Sequence, residues 1–241
     1  MRKVHAGSIL AGLALLLGGC HTGGPPNPAP DSHPEPAVSS APAAAPAMPA
    51  VVKPAANDAR PAIVCFGDSL TAGLGTDPGQ SYPDYLQADL DGAHYHYHVA
   101  NEGVSGDTTK DGVARLPEVL AMHPAVTVVE FGGNDGLRGL PIADTRANLD
   151  KIVTTLKGAG IKVALAGITL PPEYGPDYIR EFNQTYVVVA QKYHVPMLPF
   201  LLKDVYGVQG MMQADRTHAT AKGNGVVARN VMQLLVPLLN K

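Results

Sequence analysis

Short apolar runs that alternate with stretches of helical patterning constrain this chain more than any other feature. Ala62 to Phe66 (Ala-Ile-Val-Cys-Phe), Val126 to Phe131 and Val163 to Ile168 are mostly apolar runs that look like buried parallel strands. His96 to Asn101 and Val195 to Phe200 are further strand candidates. Predicted helices lie between them, near Tyr82 to Leu90, Thr109 to Met122, Ile142 to Lys157, Asp177 to Tyr193 and Ala221 to Leu239. The third has the clearest stripe, with Ile142, Leu149, Ile152, Val153 and Leu156 on related turns. Thr220 is placed to cap the last helix, whose first turns Gly223 and Gly225 weaken. This alternation predicts a three-layer α/β domain around a mostly parallel sheet. In such sheets ligands bind beyond the carboxyl ends of the strands.

The N-terminal quarter cannot join that core. Arg2 and Lys3 open a segment whose apolar stretch, Ala6 to Leu17, is shorter than the roughly 20 residues that span a bilayer, so it reads as a signal peptide. Its end, Leu17-Gly18-Gly19-Cys20, resembles a bacterial lipoprotein signal, in which the Cys is lipidated and becomes the new N-terminus; Gly18 departs mildly from the usual pattern. Residues 21–61 hold half of the chain's 22 prolines, many alanines and almost no large apolar residues. Such a stretch cannot repay the entropy of ordering and is expected to be an extended tether. Residues 62–241 then suffice for one domain with a substantial core. With Cys20 assigned to lipid, Cys65 sits alone in an apolar run and reads as buried rather than reactive. A formal charge of −3 carries no sign of nucleic-acid binding.

Four polar blocks interrupt the predicted core: Gly67-Asp68-Ser69-Leu70, Ser105-Gly106-Asp107, Gly132-Gly133-Asn134-Asp135 and Asp215-Arg216-Thr217-His218. The first three each follow a predicted strand, so they converge on one edge of the sheet. Serine is a weak nucleophile without a neighbouring base. Ser69 just past a buried strand would expose its hydroxyl in a turn and bring a helix N-terminus toward a reacting carbonyl. His218 lies three residues after Asp215, so one carboxylate can orient the imidazole while its other nitrogen faces Ser69. The Gly-x-Ser-x-Gly elbow of α/β-hydrolases is absent, because Thr71 stands at its second glycine. No strong metal motif appears. His94, His96 and His98 alternate as one solvated strand face would, and metal binding there is the minor reading.

The ordered set of Ser69, Gly106, Asn134 and His218 resembles the GDSL, or SGNH, hydrolase family, and the resemblance covers nearly all of residues 62–241. It implies a flavodoxin-like five-stranded sheet of order 2-1-3-4-5. It also implies a Ser69–His218–Asp215 triad, and an oxyanion hole of the Ser69 and Gly106 N–H groups and the Asn134 amide. The family often has Gly where Arg216 follows Asp215 here. Longer matches (Val104 to Thr109, Ala114 to Pro117, Phe131 to Gly139 and Leu198 to Phe200) resemble its bacterial arylesterase and multifunctional thioesterase I/lysophospholipase branch. That branch implies hydrolysis of carboxylic esters, acyl thioesters and lysophospholipids with no cofactor, and places Tyr174-Gly175-Pro176 beside the acyl groove. Two other readings stand beside it: an acetylesterase acting on cell-envelope glycans, and a lipid-tethered binding protein without catalysis. The expected location is an exported lipoprotein held by Cys20, with His21 after the Cys favouring an outer membrane and the periplasm; a soluble periplasmic or secreted form is the alternative.

Overall fold

The computed structural model describes residues 58–240. The expected signal peptide, the lipidated Cys20 and most of the tether lie outside the described residues. Five strands, β1 (Ala62–Gly67), β2 (His98–Gly103), β3 (Val126–Glu130), β4 (Lys162–Ala166) and β5 (Met197–Leu198), form one parallel sheet of order β2-β1-β3-β4-β5. Every residue of β1 and β3 is buried, so both faces of the sheet are covered. Cys65 is fully buried in β1, where loss of hydration pushes its thiol up to about 12.

The longer helices are α2 (Tyr82–Gly92), α3 (Thr109–Ala121), α5 (Ile142–Gly158), α6 (Pro176–Tyr193) and α7 (Ala221–Leu235). They form two packed sets, α2 with α7, and α5 with α3 and α6. The five side chains of the α5 stripe are all buried. Ser81 with Asp84 and Thr108 with Asp111 close capping boxes at the starts of α2 and α3. The Thr220 hydroxyl caps α7 through the Gly223 N–H at 3.2 Å. Two one-turn helices, α1 (Ser69–Ala72) and α4 (Gly133–Leu137), follow β1 and β3 directly.

Two expectations need correction. The second strand starts at His98 and not His96, so the three histidines share no strand face. His94 ends α2 in the left-handed conformation, φ 61°, and the Tyr95 N–H then bonds the Leu90 carbonyl at 2.9 Å. Satisfying the orphan carbonyls of a helix end outweighed the alternating pattern. His98 Nδ1 bonds the Arg60 carbonyl at 2.8 Å. The last helix stops at Leu235, and a 3₁₀ turn over Val236–Leu238 replaces its predicted end because Pro237 lacks the N–H that an α-helix needs.

Residues 58–61 already belong to the ordered domain: Arg60 pairs with Asp58 and Asp91, and the Pro61 carbonyl accepts the His98 N–H. At the other end of β2, Gly103 touches α1. A Cβ there would fall onto the backbone nitrogen of Ala72 and lie 2.6 Å from the Thr71 carbonyl carbon. Backbone cannot rotate aside, so Gly103→Ala should displace α1 and cost about 1–3 kcal/mol or more in urea unfolding, with Ser69 moved off its partner.

Candidate active site

Ser69 occupies the first position of α1, and Asp68 caps it by accepting the Leu70 N–H on Oδ1 at 3.0 Å. The predicted turn into a helix is present, but four residues carry little macrodipole. What the turn offers instead is free N–H groups: the Ser69 and Gly106 amides have no protein acceptor among the described residues.

The C-terminal block is held by its own backbone. Gln213 donates its N–H to the His218 carbonyl at 2.8 Å and its side-chain amide to the Leu74 and Ala219 carbonyls. Asp215 Oδ1 accepts the Thr217 and His218 N–H groups, leaving Oδ2 to meet His218 Nδ1 at 2.6 Å. His218 Nε2 then lies 2.8 Å from Ser69 Oγ, although 149 residues separate the two. Burial pushes the Asp215 carboxyl up, but hydrogen bonds from His218 and Thr217 outweigh it and the net shift is downward. An ionised Asp215 can only accept, which assigns the imidazole proton to Nδ1 and leaves Nε2 free to accept from the Ser69 hydroxyl. Sequence reasoning named these three residues, and the fold brings them into one hydrogen-bonded series.

Arg216 explains why glycine is common at its position in the resembled family: its φ is 57°. A side chain there costs roughly 1–2 kcal/mol against glycine. Glycine adds unfolded-state entropy worth about 0.4–1 kcal/mol, so Arg216→Gly should lie between neutral and about 1.6 kcal/mol more stable than the parent in urea unfolding.

Asn134 joins the remaining blocks. Its amide donates to the Asp107 carbonyl at 2.9 Å and to Asp68 Oδ2 at 3.1 Å. Gly106 precedes Asp107 with φ 89°, a conformation that suits glycine. Arg138 donates to the Gly106 carbonyl at 2.8 Å. Gly106 is thus tied to Asn134, although it is not among the residues lining the cavity beside the triad. That cavity, of about 140 Å³, is lined by Ser69, Asn134 and His218 together with Leu137, Ile168, Leu170, Phe200, Tyr206 and Arg216. Tyr174 reaches the site at one remove, by donating to the Leu137 carbonyl at 2.9 Å.

Several supporting residues went unread in the sequence. Asp68 and Glu130 are both buried beside the Ser69 turn. Glu130 Oε2 accepts from the Thr71 hydroxyl at 2.8 Å and the Asp68 N–H at 3.3 Å. Burial first, then the nearby Asp68 charge, pushes the Glu130 carboxyl well above the usual carboxylate range. Arg115 reaches the Gly67 and Glu102 carbonyls and pairs with Asp107 at 2.7 Å. An acid at the end of an otherwise apolar strand was the available signal for Glu130. Among the described residues no three His, Cys, Asp or Glu side chains group as metal ligands.

A serine, a histidine and an aspartate in hydrogen-bonded series at the carboxyl edge of a parallel sheet are an arrangement that serine hydrolases use. Residues 65–226 match the model of the GDSL-like Lipase/Acylhydrolase family, and the chain belongs to it. It is 44% identical to Esterase TesA of Pseudomonas aeruginosa over 178 residues, 73% of this chain and 89% of that one. It is 36% identical to Thioesterase 1/protease 1/lysophospholipase L1 of Escherichia coli K12 over 179 residues, 74% of this chain and 85% of that one. The crystal structure of TesA superposes with a TM-score of 0.72 at 44% identity, covering 74% of this chain and 99% of that one. The fold is that of the SGNH hydrolases, as the resemblance implied.

Burial, partly offset by the Leu70 N–H, the nearby His218 and the Asn134 amide, pushes Asp68 up from 3.8 to about 6. Between those values the native state holds a proton that the unfolded chain has lost. This contribution to stability is full below about pH 4 and is lost as pH rises through 6, by about 3 kcal/mol in all. Asp68→Asn has no such proton, so its stability relative to the parent should climb between pH 4 and 7 in urea unfolding. The cost of facing one amide with another is independent of pH and drops out of that slope.

Proposed function

We propose that Ser69 is the nucleophile of an esterase acting on carboxylic esters and acyl thioesters with apolar acyl groups. The observation that carries this reading is the unbroken series from Ser69 Oγ through His218 to Asp215 Oδ2. Ser69 Oγ attacks the carbonyl carbon while His218 Nε2 takes its proton, and Asp215 stabilises the imidazolium through Nδ1–H. The tetrahedral oxyanion receives the unpartnered Ser69 and Gly106 N–H groups and an Asn134 amide hydrogen, drawn from its longer bond, to Asp68. His218 then protonates the leaving oxygen or sulfur. Water, deprotonated by the same nitrogen, releases the acid from Ser69.

The cavity supports the acyl part of the reading. Leu137 and Tyr206 are large apolar side chains that stay 40% and 42% exposed, and both line it. A shallower groove shares Thr169, Leu170 and Tyr206 with the cavity and continues past Ile179 and Val187 of α6, giving a longer chain a path outward. The relatives named esterase and lysophospholipase agree with such substrates.

Hydrolysis of p-nitrophenyl esters from acetyl to palmitoyl tests this directly. Ser69→Ala should lose about 10⁴-fold or more of kcat. Asn134→Ala should lose about 10²–10³-fold with little change in KM. Equal activity in the parent and Ser69→Ala would refute the assignment, and an optimum at acetyl would favour the glycan acetylesterase.

Export and anchoring through a lipidated Cys20 form a second, separate proposal, supported by Leu17-Gly18-Gly19-Cys20 and the Pro/Ala-rich stretch after it. Radiolabelled palmitate should enter the full chain and fail to enter Cys20→Ser, which should also leave the membrane fraction.

A further inference from the structure

The loop that presents His218 also presents a cation that neither the fold nor the triad uses. Arg216 is exposed and lines the same cavity as Ser69 and His218. Its backbone N–H closes the turn onto the Gln213 carbonyl at 3.0 Å. Its guanidinium has no hydrogen bond, ion pair or ring partner among the described residues. It is the sole lysine or arginine in the lining. Its backbone also holds the left-handed conformation that glycine adopts without strain. A strained position that delivers an unpaired charge to a catalytic cavity calls for a functional explanation.

The chemistry of leaving-group departure says what that charge faces. The leaving atom must come within hydrogen-bond reach of His218 Nε2 to take its proton. The acyl part occupies the apolar lining of Leu137, Ile168, Leu170 and Phe200. The remainder of the leaving group therefore runs out over the His218 loop, where Arg216 stands two residues away.

We infer that Arg216 is a specificity-determining residue that recognises a phosphate on the leaving alcohol or thiol, favouring such substrates over neutral ones with the same acyl chain. The inference rests on the esterase reading above. A guanidinium fits the task because its planar fork of donors matches phosphate oxygens and does not deprotonate. A glycerophosphate headgroup and a coenzyme A thiol both carry such a phosphate.

Two matched pairs separate these sources: 1-octanoylglycerol 3-phosphate against 1-octanoylglycerol, and octanoyl-coenzyme A against S-octanoyl-N-acetylcysteamine. The readout is the ratio of kcat/KM within each pair, for the parent, Arg216→Gly, Arg216→Ala and Arg216→Lys. Any change in triad alignment affects both members and cancels. In at least one pair the parent's ratio should fall about tenfold or more in the Gly and Ala variants and less in Lys, which keeps the charge but loses the fork. It should also fall in the parent as salt is raised. A loss confined to the glycerol pair assigns the headgroup phosphate, and one confined to the thioester pair assigns the coenzyme. Ratios that are the same in all four proteins, or that ignore salt in the parent, overturn the inference. Activity that disappears in Ser69→Ala while the ratios stay fixed overturns it alone. A parent that cleaves none of the four brings down the esterase reading and this inference with it.

Discussion

Three strand ends meet at one side-chain amide. Asn134 stands after β3, and its two hydrogens reach Asp68 after β1 and the Asp107 carbonyl after β2. Those strands are neighbours in the order β2-β1-β3, where connections from β1 and β3 leave toward opposite sides and open a crevice. Spanning it with one amide fixes the nucleophile's turn and the Gly106 turn relative to each other. Arg115 braces the same junction from below. Its guanidinium holds the Gly67 carbonyl at the end of β1, the Glu102 carbonyl one residue before the end of β2 and the Asp107 carboxylate, and stacks 4.8 Å from the centre of the Phe66 ring. Donors in a site of this kind help most when little reorganises during the reaction, and this bracing limits the change to one Asn134 hydrogen leaving Asp68.

Holding the donor in place has a cost in stability. Asp68 and Glu130 are acids taken almost wholly out of water; burial pushes both carboxyls up, and the Asp68 charge raises Glu130 further. A core built for stability alone would place apolar residues there. Asp68 is retained where its two oxygens do separate tasks, one capping α1 and the other holding Asn134. Glu130 in turn takes the Thr71 hydroxyl and the Asp68 N–H, which keeps the floor of α1 satisfied. The destabilised group thus lies next to the nucleophile, where function rather than packing selects the residue.

The sheet was legible because its strands are apolar on both faces. Ala62 to Phe66 and Val126 to Phe131 lie within a residue of β1 and β3. Legibility failed where burial is uneven. β2 is an edge strand with only Ala100 and Gly103 buried, so its start blurred into His94 and His96. β5 has two residues, too few for any period. The turn into a helix at Ser69 was expected, but the one-turn helix α4 was invisible, since Gly133 and Gly136 disfavour the conformation and distant partners hold it. Asp135, for example, accepts the Thr109 N–H at 2.9 Å. The site was readable because its residue types are chemically unusual in such turns. Its supports, Asp68, Glu130 and Arg115, make sense only once β1, β2 and β3 are side by side.

Ser69 and His218 come from opposite ends of the domain, and that separation shapes how the site behaves. Ser69 follows the first strand, whereas His218 precedes the last helix, α7, which packs on α2. No local element can therefore form the triad alone. Within its own loop, however, His218 is fixed before it meets Ser69: Asp215 binds two backbone N–H groups and the imidazole, and Gln213 ties the loop to Leu74 just past α1. The Gln213–Leu74 bond links the two halves independently of the catalytic pair. Substrate can then displace the Ser69–His218 hydrogen bond without releasing the base. The same closed loop is what allows Arg216 to hold a left-handed backbone, since a conformation of that kind persists only where its surroundings over-determine it.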